Sequence, residues 1–293
     1  MSTLIVSGLF YYLNMSKSKF IVLLSLLFLF SSCGKSKKEV QLAEEAELDS
    51  IMNIEPDVLE LFEEEETSKA VDELFDDFFF NFAEDARFQN QRIRFPLRVK
   101  DEDAELQLNK DEWHKYNRFS QQEFYSVIYE RDADLALQKD TTVHEVSVQW
   151  IYLQDGYVEC YNFKRIPQGK WVLFNIEKQD VASTPNGDFV NFYSEFIADS
   201  AYQRSCIVEP IAYHMDDNGE GEEVNSEISA DEWFEMKEDM PFPKDVLVNI
   251  NYGQSCTEGT SKNVLMEGVS NGLFMNFKFE KHEGEWKLTK IDI

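Results

Sequence analysis

The sequence "FDDFFFNFAEDARFQNQRIRFPL", residues 75–97, recurs later in the chain as "FVNFYSEFIADSAYQRSCIVEPI", residues 189–211, and this recurrence is the main evidence for the architecture. The two stretches align without a gap at an offset of 114, with seven identities in 23 positions. The identities include Phe75/Phe189 at the start and Pro96/Pro210 near the end. This part of the chain is therefore an internal sequence repeat.

Three further blocks recur in the same order, at offsets of 114 to 120. "NKDEW" (109–113) matches "SADEW" (229–233), "NFK" (162–164) matches "NFK" (276–278), and "GKWVLFNI" (169–176) matches "GEWKLTKI" (284–291). A unit of this length is a duplicated domain, since solenoid repeats have periods of about 20–50 residues. We expect two tandem domains, 69–181 and 182–293.

The pattern inside each copy predicts an α+β domain. The first copy opens with apolar residues at helical spacing, namely Val71, Leu74, Phe75, Phe78, Phe79 and Phe82. "QRIRFPLRVK" then alternates with the period of a half-buried strand. Asn109/Glu112 and Ser229/Glu232 have capping-box spacing before a short helix, and strand-like runs follow. Each copy therefore reads as an N-terminal helix packed on a strongly curved antiparallel sheet.

The order and length of these elements resemble the nuclear-transport-factor-2-like (cystatin-like) cone fold. More closely, "FDDFFFNFAEDARFQNQRIRFPL" resembles a Bacteroidetes lipoprotein family, a domain of unknown function built from such cone-like domains. The resemblance covers roughly 69–293. It implies the fold and a location in the cell envelope, and it carries no assigned activity.

The N-terminal segment "KSKFIVLLSLLFLFSSC" predicts a lipoprotein signal peptide. Two lysines precede an apolar run of eleven residues, which is too short to span a bilayer as a helix and typical of a signal peptide. We predict a signal peptide at 1–32, with Met15 as a possible start, and an acyl-modified (palmitate-bearing) Cys33. An ordinary secretory signal, or a membrane anchor with an unrelated cysteine, is the alternative.

Residues 33–68 read as an acidic tether between the lipid and the folded body. Twelve acidic residues and no lysine or arginine lie between Glu39 and Glu66, and their mutual repulsion favours an extended chain. The formal net charge of −28 argues against nucleic acid as a partner. Gly34, Lys35 and Lys37 after the cysteine favour a protein that faces the periplasm.

One acidic loop has the spacing of a calcium site. In "DDNGEGEEVNSE" (216–227), oxygen ligands stand at positions 1, 3, 5 and 12 of an EF-hand loop: Asp216, Asn218, Glu220 and Glu227. Glu223 takes the place of an apolar residue, and a strand rather than a helix precedes the loop. A solvated acidic loop is the main expectation, and a calcium site is the alternative. No other cofactor is expected.

The candidate ligand-binding residues are Arg92, Arg94 and Arg98 on the basic side of "QRIRFPLRVK", together with Tyr129. Arginines on a curved sheet could hold a carboxylate or a phosphate, and Tyr129, His144 or Arg94 could line a closed cavity. No catalytic motif is present, so we do not expect an enzyme. The sequence favours a non-catalytic binding or scaffold module with an envelope protein or a small molecule as partner, joined to the membrane by its lipid. The alternative is a small-molecule binder or an enzyme with a polar pocket in the first domain.

Overall fold

The computed structural model describes residues 69–101, 104–114, 119, 122–215, 224–240, 242–243, 245–254, 256–257 and 259–293. The predicted signal peptide, Cys33 and the tether lie outside the described residues, as do Asp216, Asn218 and Glu220 of the acidic loop. In the described part of the chain, no helix is long and apolar enough to cross a membrane.

The first repeat contains four helices and six strands among its described residues. The helices are α1 (Phe75–Glu84), α2 (Ala86–Gln91), α3 (Lys110–Trp113) and α4 (Asp132–Leu135), and Ala136–Lys139 adds a 3-10 turn. The strands are β1 (Ile93–Lys100), β2 (Glu105–Leu108), β3 (Phe124–Tyr129), β4 (Glu145–Tyr152), β5 (Tyr157–Arg165) and β6 (Trp171–Asp180).

The second repeat follows nearly the same order. Its helices are α5 (Gly187–Ala198), α6 (Ser200–Ser205) and α7 (Ala230–Met236). Its strands are β7 (Ile207–Met215), β8 (Val224–Ile228), β9 (Val246–Asn251), β10 (Ser261–Gly268), β11 (Phe274–His282) and β12 (Glu285–Asp292). The capping boxes form as predicted: the backbone N–H of Asn109 reaches Glu112 Oε2 at 2.9 Å, and that of Ser229 reaches Glu232 Oε2 at 2.7 Å.

All twelve strands join in one curved sheet, in the order β2-β1-β6-β5-β4-β9-β3-β10-β11-β12-β7-β8. The two repeats exchange a strand at its centre. β3 pairs antiparallel with β10 of the second repeat, and β9 pairs antiparallel with β4 of the first. β3 and β9 meet as parallel neighbours at Ser126↔Asn249. The expected separation into two self-contained tandem domains is therefore not confirmed.

The parallel contact at the centre places the two long helices on opposite faces of the sheet. Successive residues of a strand point to opposite faces. Val127 of β3 accordingly belongs to the aromatic core under α1, whereas its neighbour Ile128 belongs to the core under α5. Both cores contain strands from both repeats, so neither repeat encloses a hydrophobic core by itself.

A single phenylalanine from the sheet organises the packing of each helix. Phe163 of β5 contacts the rings of Phe75, Phe78, Phe79 and Phe82, at centroid distances of 5.2–5.8 Å. Phe279 of β11 makes the matching contacts with Phe189, Phe192, Tyr193 and Phe196 at 5.3–6.0 Å. Most of these rings meet edge to face, the geometry that aromatic pairs prefer. Phe163 thus corresponds to Phe279, and the alignment of "NFK" with "NFK" is wrong by two residues.

Candidate functional site

Arg92 is buried in the interior of the protein. It precedes β1 rather than facing out from it, and it is 2% exposed. Its guanidinium donates to both carboxylate oxygens of Asp72, at 2.6 and 3.0 Å, and lies 4.7 Å from the centroid of the Phe88 ring. Asp72 also accepts the backbone N–H of Trp171 at 3.0 Å. This ion pair ties the start of the first repeat to β6.

The other sequence-predicted residues are scattered. Arg94 is half-buried, with its guanidinium 4.6 Å from the Phe174 ring, and Arg98 is exposed. Tyr129 is buried in the core under α1, and burial is the main cause that raises its pKa to about 12. Glu227 is exposed in β8, and no described His, Cys, Asp or Glu residues form a group of three that could hold a metal ion. The residues Arg92, Arg94, Arg98 and Tyr129 do not line a common pocket.

A groove of about 360 Å³ opens beneath α1, where this helix crosses the exchanged strands. Its apolar wall comes from Phe79, Phe80, Ala83, Val127, Ile250 and Val269. Its polar groups come from Asp76, Asp77, Tyr125, Tyr252, Glu267 and Ser270. Both repeats supply walls, because β3 of the first lies here between β9 and β10 of the second. The groove exists because of the strand exchange.

The polar groups of the groove form a chain of hydrogen bonds that alternates between the repeats. The Tyr252 hydroxyl donates to Asp76 Oδ1. Gln138 donates to Glu267 Oε2 at 2.8 Å and also bonds the Tyr252 oxygen. Two carboxyl groups on opposite walls are thus connected through a tyrosine and an amide. Both connecting groups are neutral.

The pKa of Asp76 is raised from its usual 3.8 to about 6. Desolvation by the groove walls is the largest cause, with smaller contributions from the charges of Glu267 and Asp77, while the Tyr252 hydrogen bond acts in the opposite direction. Asp76 stands at the mouth of the groove and is exposed on its outer side, so solvent there limits the cost of its charge. Burial also raises the pKa of Tyr125 and, together with the charge of Asp76, that of Tyr252.

The second repeat supplies an internal comparison for this site. Matching the strand ladders pair by pair makes Tyr125 equivalent to Leu247 and Glu267 to Ile151, and the gapless alignment of the two repeats makes Asp76 equivalent to Val190. The cavity at that second position measures only about 20 Å³ and is lined by Ile128, Ile151 and Val190, among others. One of the two equivalent positions is therefore nearly closed and lacks a carboxyl group, while the other is open and has carboxyl groups in its lining.

Comparison with known proteins identifies the family. The model of a domain of unknown function, DUF4348, matches residues 55–293. This chain belongs to the DUF4348 family. Among proteins with curated descriptions, none matches this DUF4348 chain.

A solved structure extends this result to the fold. The crystal structure of an NTF2-like protein from Bacteroides fragilis NCTC 9343 is 31% identical to the DUF4348 chain, with a TM-score of 0.68. The match covers 76% of this chain and 96% of that one. The expectation of a mixed α+β fold with a large curved sheet and an NTF2-like neighbour is confirmed.

Sequence reasoning missed the groove residues, although one signal was available. In the alignment of the repeats, Asp76 lies next to the aromatic stripe, at the position where the second copy has Val190. A carboxyl in place of an aliphatic residue, on a helix that otherwise keeps its packing residues, marks the place where the copies diverge in chemistry. Tyr252 and Glu267 were not recognisable, because their proximity to Asp76 depends on the strand exchange.

Proposed function

We propose that this protein is a lipid-anchored binding protein of the bacterial cell envelope, tethered at Cys33 and facing the periplasm. Support for the anchor comes from the basic and apolar residues before Cys33 and from the acidic stretch after it. The NTF2-like relative in Bacteroides fragilis agrees with a Bacteroidetes source. Metabolic labelling with radioactive palmitate tests this part: the chain takes up label and Cys33→Ser does not. Equal labelling of the two would refute the anchor.

The folded body, in this proposal, is two intertwined copies of a cone-like unit that act as a non-catalytic binding module. It takes a small ligand in the groove beneath α1. The observation that carries the proposal is the contrast between this open groove, with carboxyl groups in its lining, and its nearly closed counterpart at Val190. A volume of about 360 Å³ lies in the range of small-molecule sites.

Binding is favoured over catalysis by the charges in the groove. Asp76, with its pKa of about 6, is suited to act as a general base, which is the specific observation in favour of an enzyme. Proton abstraction, however, also needs groups that stabilise the negative charge that develops on the substrate. The described residues that line the groove include no lysine, arginine or histidine, and the Tyr252 hydroxyl is already donated to Asp76.

The groove is tested by soaking crystals of the protein with small aromatic fragments of positive, negative and zero charge. Density beneath α1, lost when the rim is blocked by Val269→Trp, is the expected result. Glu280→Gln, on β11 outside the groove, is the matched control and should keep the density. Fragments found elsewhere, with none beneath α1, would refute the assignment of this groove.

A further inference from the structure

The groove carboxylates differ from three more deeply buried carboxylates of the described chain. Those three pair with cations of the same chain, as Asp72–Arg92, Glu159–Lys178 and Glu130–Lys262. No described lysine or arginine forms an ion pair with Asp76, Asp77 or Glu267. Asp76 and Glu267 are instead held by Tyr252 and Gln138.

These neutral partners orient the carboxylates and leave their charge uncompensated. Desolvation by the groove walls is the largest cost to the charge of Asp76, and the charges of Glu267 and Asp77 add to it. A cation that enters the groove removes the repulsion among these charges. The groove should therefore bind positively charged ligands more tightly than neutral and negative ones.

The apolar half of the groove indicates the rest of the ligand. Phe80 lines the groove and keeps 47% of its surface exposed. Phe274, which is 46% exposed, is the register partner of Glu267 and so shares its face of the sheet. Large exposed aromatic rings beside carboxylates suit a cation with an apolar body, because rings attract cations at their faces and bury apolar surface.

From these observations we infer that the ligand of the groove is an organic cation, with its ammonium group between Asp76 and Glu267 and its apolar body against Phe79, Phe80 and Ile250. This inference rests on the proposed binding function. It does not extend to inorganic cations, because the groove is mostly apolar and the carboxylates are already fixed by hydrogen bonds. The matching position at Val190 lacks both features and takes no such ligand.

Three aromatic probes of similar size test the inference: benzylamine, benzyl alcohol and benzoate, titrated into the full chain at pH 7.5 and followed by NMR. Benzylamine should shift the signals of groove residues and bind at least about tenfold more tightly than the other two, the equivalent of one charge-assisted hydrogen bond. Glu267→Gln should weaken benzylamine by a similar factor. Glu280→Gln, outside the groove, corrects for the general attraction of cations to a protein of charge −28.

The outcomes separate this inference from the proposed function. If benzyl alcohol or benzoate shifts the groove signals as strongly as benzylamine, the cation preference is wrong and the binding groove remains. If Glu280→Gln weakens benzylamine as much as Glu267→Gln does, the attraction is general and the inference again fails. If none of the three probes shifts the groove signals, and soaked crystals also lack density there, the proposed function itself is wrong.

Discussion

Asn249 Oδ1 accepts the backbone N–H of Ile128 at 2.8 Å, so a side chain of the second repeat completes the hydrogen bonding of a strand from the first. The amide nitrogen of Asn249 donates to Gln149 at 2.8 Å, and Ser126 Oγ donates to the carbonyl of Val248 at 2.9 Å. β3 and β9 share a single ladder pair here. We call this junction of β3 and β9 the seam. Side chains supply here the hydrogen bonds that the two backbones do not make with each other.

The first prediction concerns this seam. Asn249→Val should lower the free energy of unfolding by about 2–3 kcal/mol, because Asn249 is 1% exposed and its loss leaves buried polar groups without partners. Urea denaturation measures the change. Asn162→Val, at a half-buried position of β5, is the control and should stay within about 0.5 kcal/mol of the parent. Equal effects of the two would show that the seam has no special role.

The second prediction separates structure from ligand binding at Arg92. Arg92→Ala should cost about 3–5 kcal/mol of stability, since it leaves the Asp72 carboxylate buried without its cation. The pair of substitutions Asp72→Leu with Arg92→Leu should recover part of that loss, because no buried charge is left unpaired, although the backbone N–H of Trp171 loses the carboxylate that accepts it. Arg98→Ala, at an exposed site, should leave the thermal midpoint unchanged. A stable Arg92→Ala protein would contradict the structural role.

A buried hydroxyl gives the third prediction. The hydroxyl of Tyr193 is buried without a described hydrogen-bond partner, and burial raises the pKa of this tyrosine. Phe79 holds the matching position in the first repeat. Tyr193→Phe should therefore raise the free energy of unfolding by about 1 kcal/mol, since it removes an unsatisfied polar group. Tyr213→Phe, at a half-buried position, should change little; a loss of stability in Tyr193→Phe would reveal a partner for the hydroxyl.

The fourth prediction follows from the raised pKa of Asp76. A carboxyl whose pKa rises on folding favours the folded state below its unfolded pKa of 3.8, and that contribution is lost as the pH rises through about 6. Asp76→Asn should thus stabilise the protein at pH 7, by less than about 1 kcal/mol because solvent reaches the carboxyl. The gain should disappear below pH 4. The other titratable groups that face Asp76 are Asp77, Tyr125, Tyr252 and Glu267.

Asp188 supplies a control of opposite sign for this pH measurement. Its pKa is lowered, chiefly by the hydrogen bonds from Lys281 and Trp286. Asp188→Asn should therefore destabilise the protein at pH 7 and have less effect as the pH falls through the lowered pKa. Thermal midpoints measured from pH 3.5 to pH 8 distinguish the two variants. If the thermal midpoints of the two variants changed with pH in the same way, the raised pKa of Asp76 would be contradicted.

The fifth prediction tests the exchange of strands. Cutting the chain between Thr184 and Pro185 should give halves that do not fold as monomers, because each would lack the central strand that the other repeat supplies. Mixing the halves should restore near-ultraviolet circular dichroism and the elution volume of the intact protein. A folded monomer from either half alone would show that the repeats can close their own sheets.

The opening helices, the capped helices and most of the strands were predictable from the sequence, whereas the strand partners at the centre of the sheet were not. Periodicity and caps located α1, β1 and α3, because these depend on neighbouring residues. Whether β3 pairs with β4 or with β10 depends on which equivalent edge it meets, and both edges show the same alternation of apolar residues. The segments 130–144 and 252–260 are long enough to permit the exchange.

Arg92 illustrates a second limit of pattern reading. The alternation in "QRIRFPLRVK" extends one step before the strand, which begins at Ile93, so a residue at the end of α2 was counted among the strand's outward side chains. Its true partner, Asp72, lies twenty positions earlier. Local periodicity contains no information about such a contact.

Joining both copies in one polypeptide has an evolutionary consequence. In a symmetric dimer of identical chains, every mutation would change both grooves at once, so a cavity could not be opened on one side while it was sealed on the other. Covalent fusion removes that restriction. After the fusion, the position of Val190 could serve packing alone, and the position of Asp76 could take a carboxyl group. The nearly closed cavity at Val190 would then maintain the stability of the shared sheet.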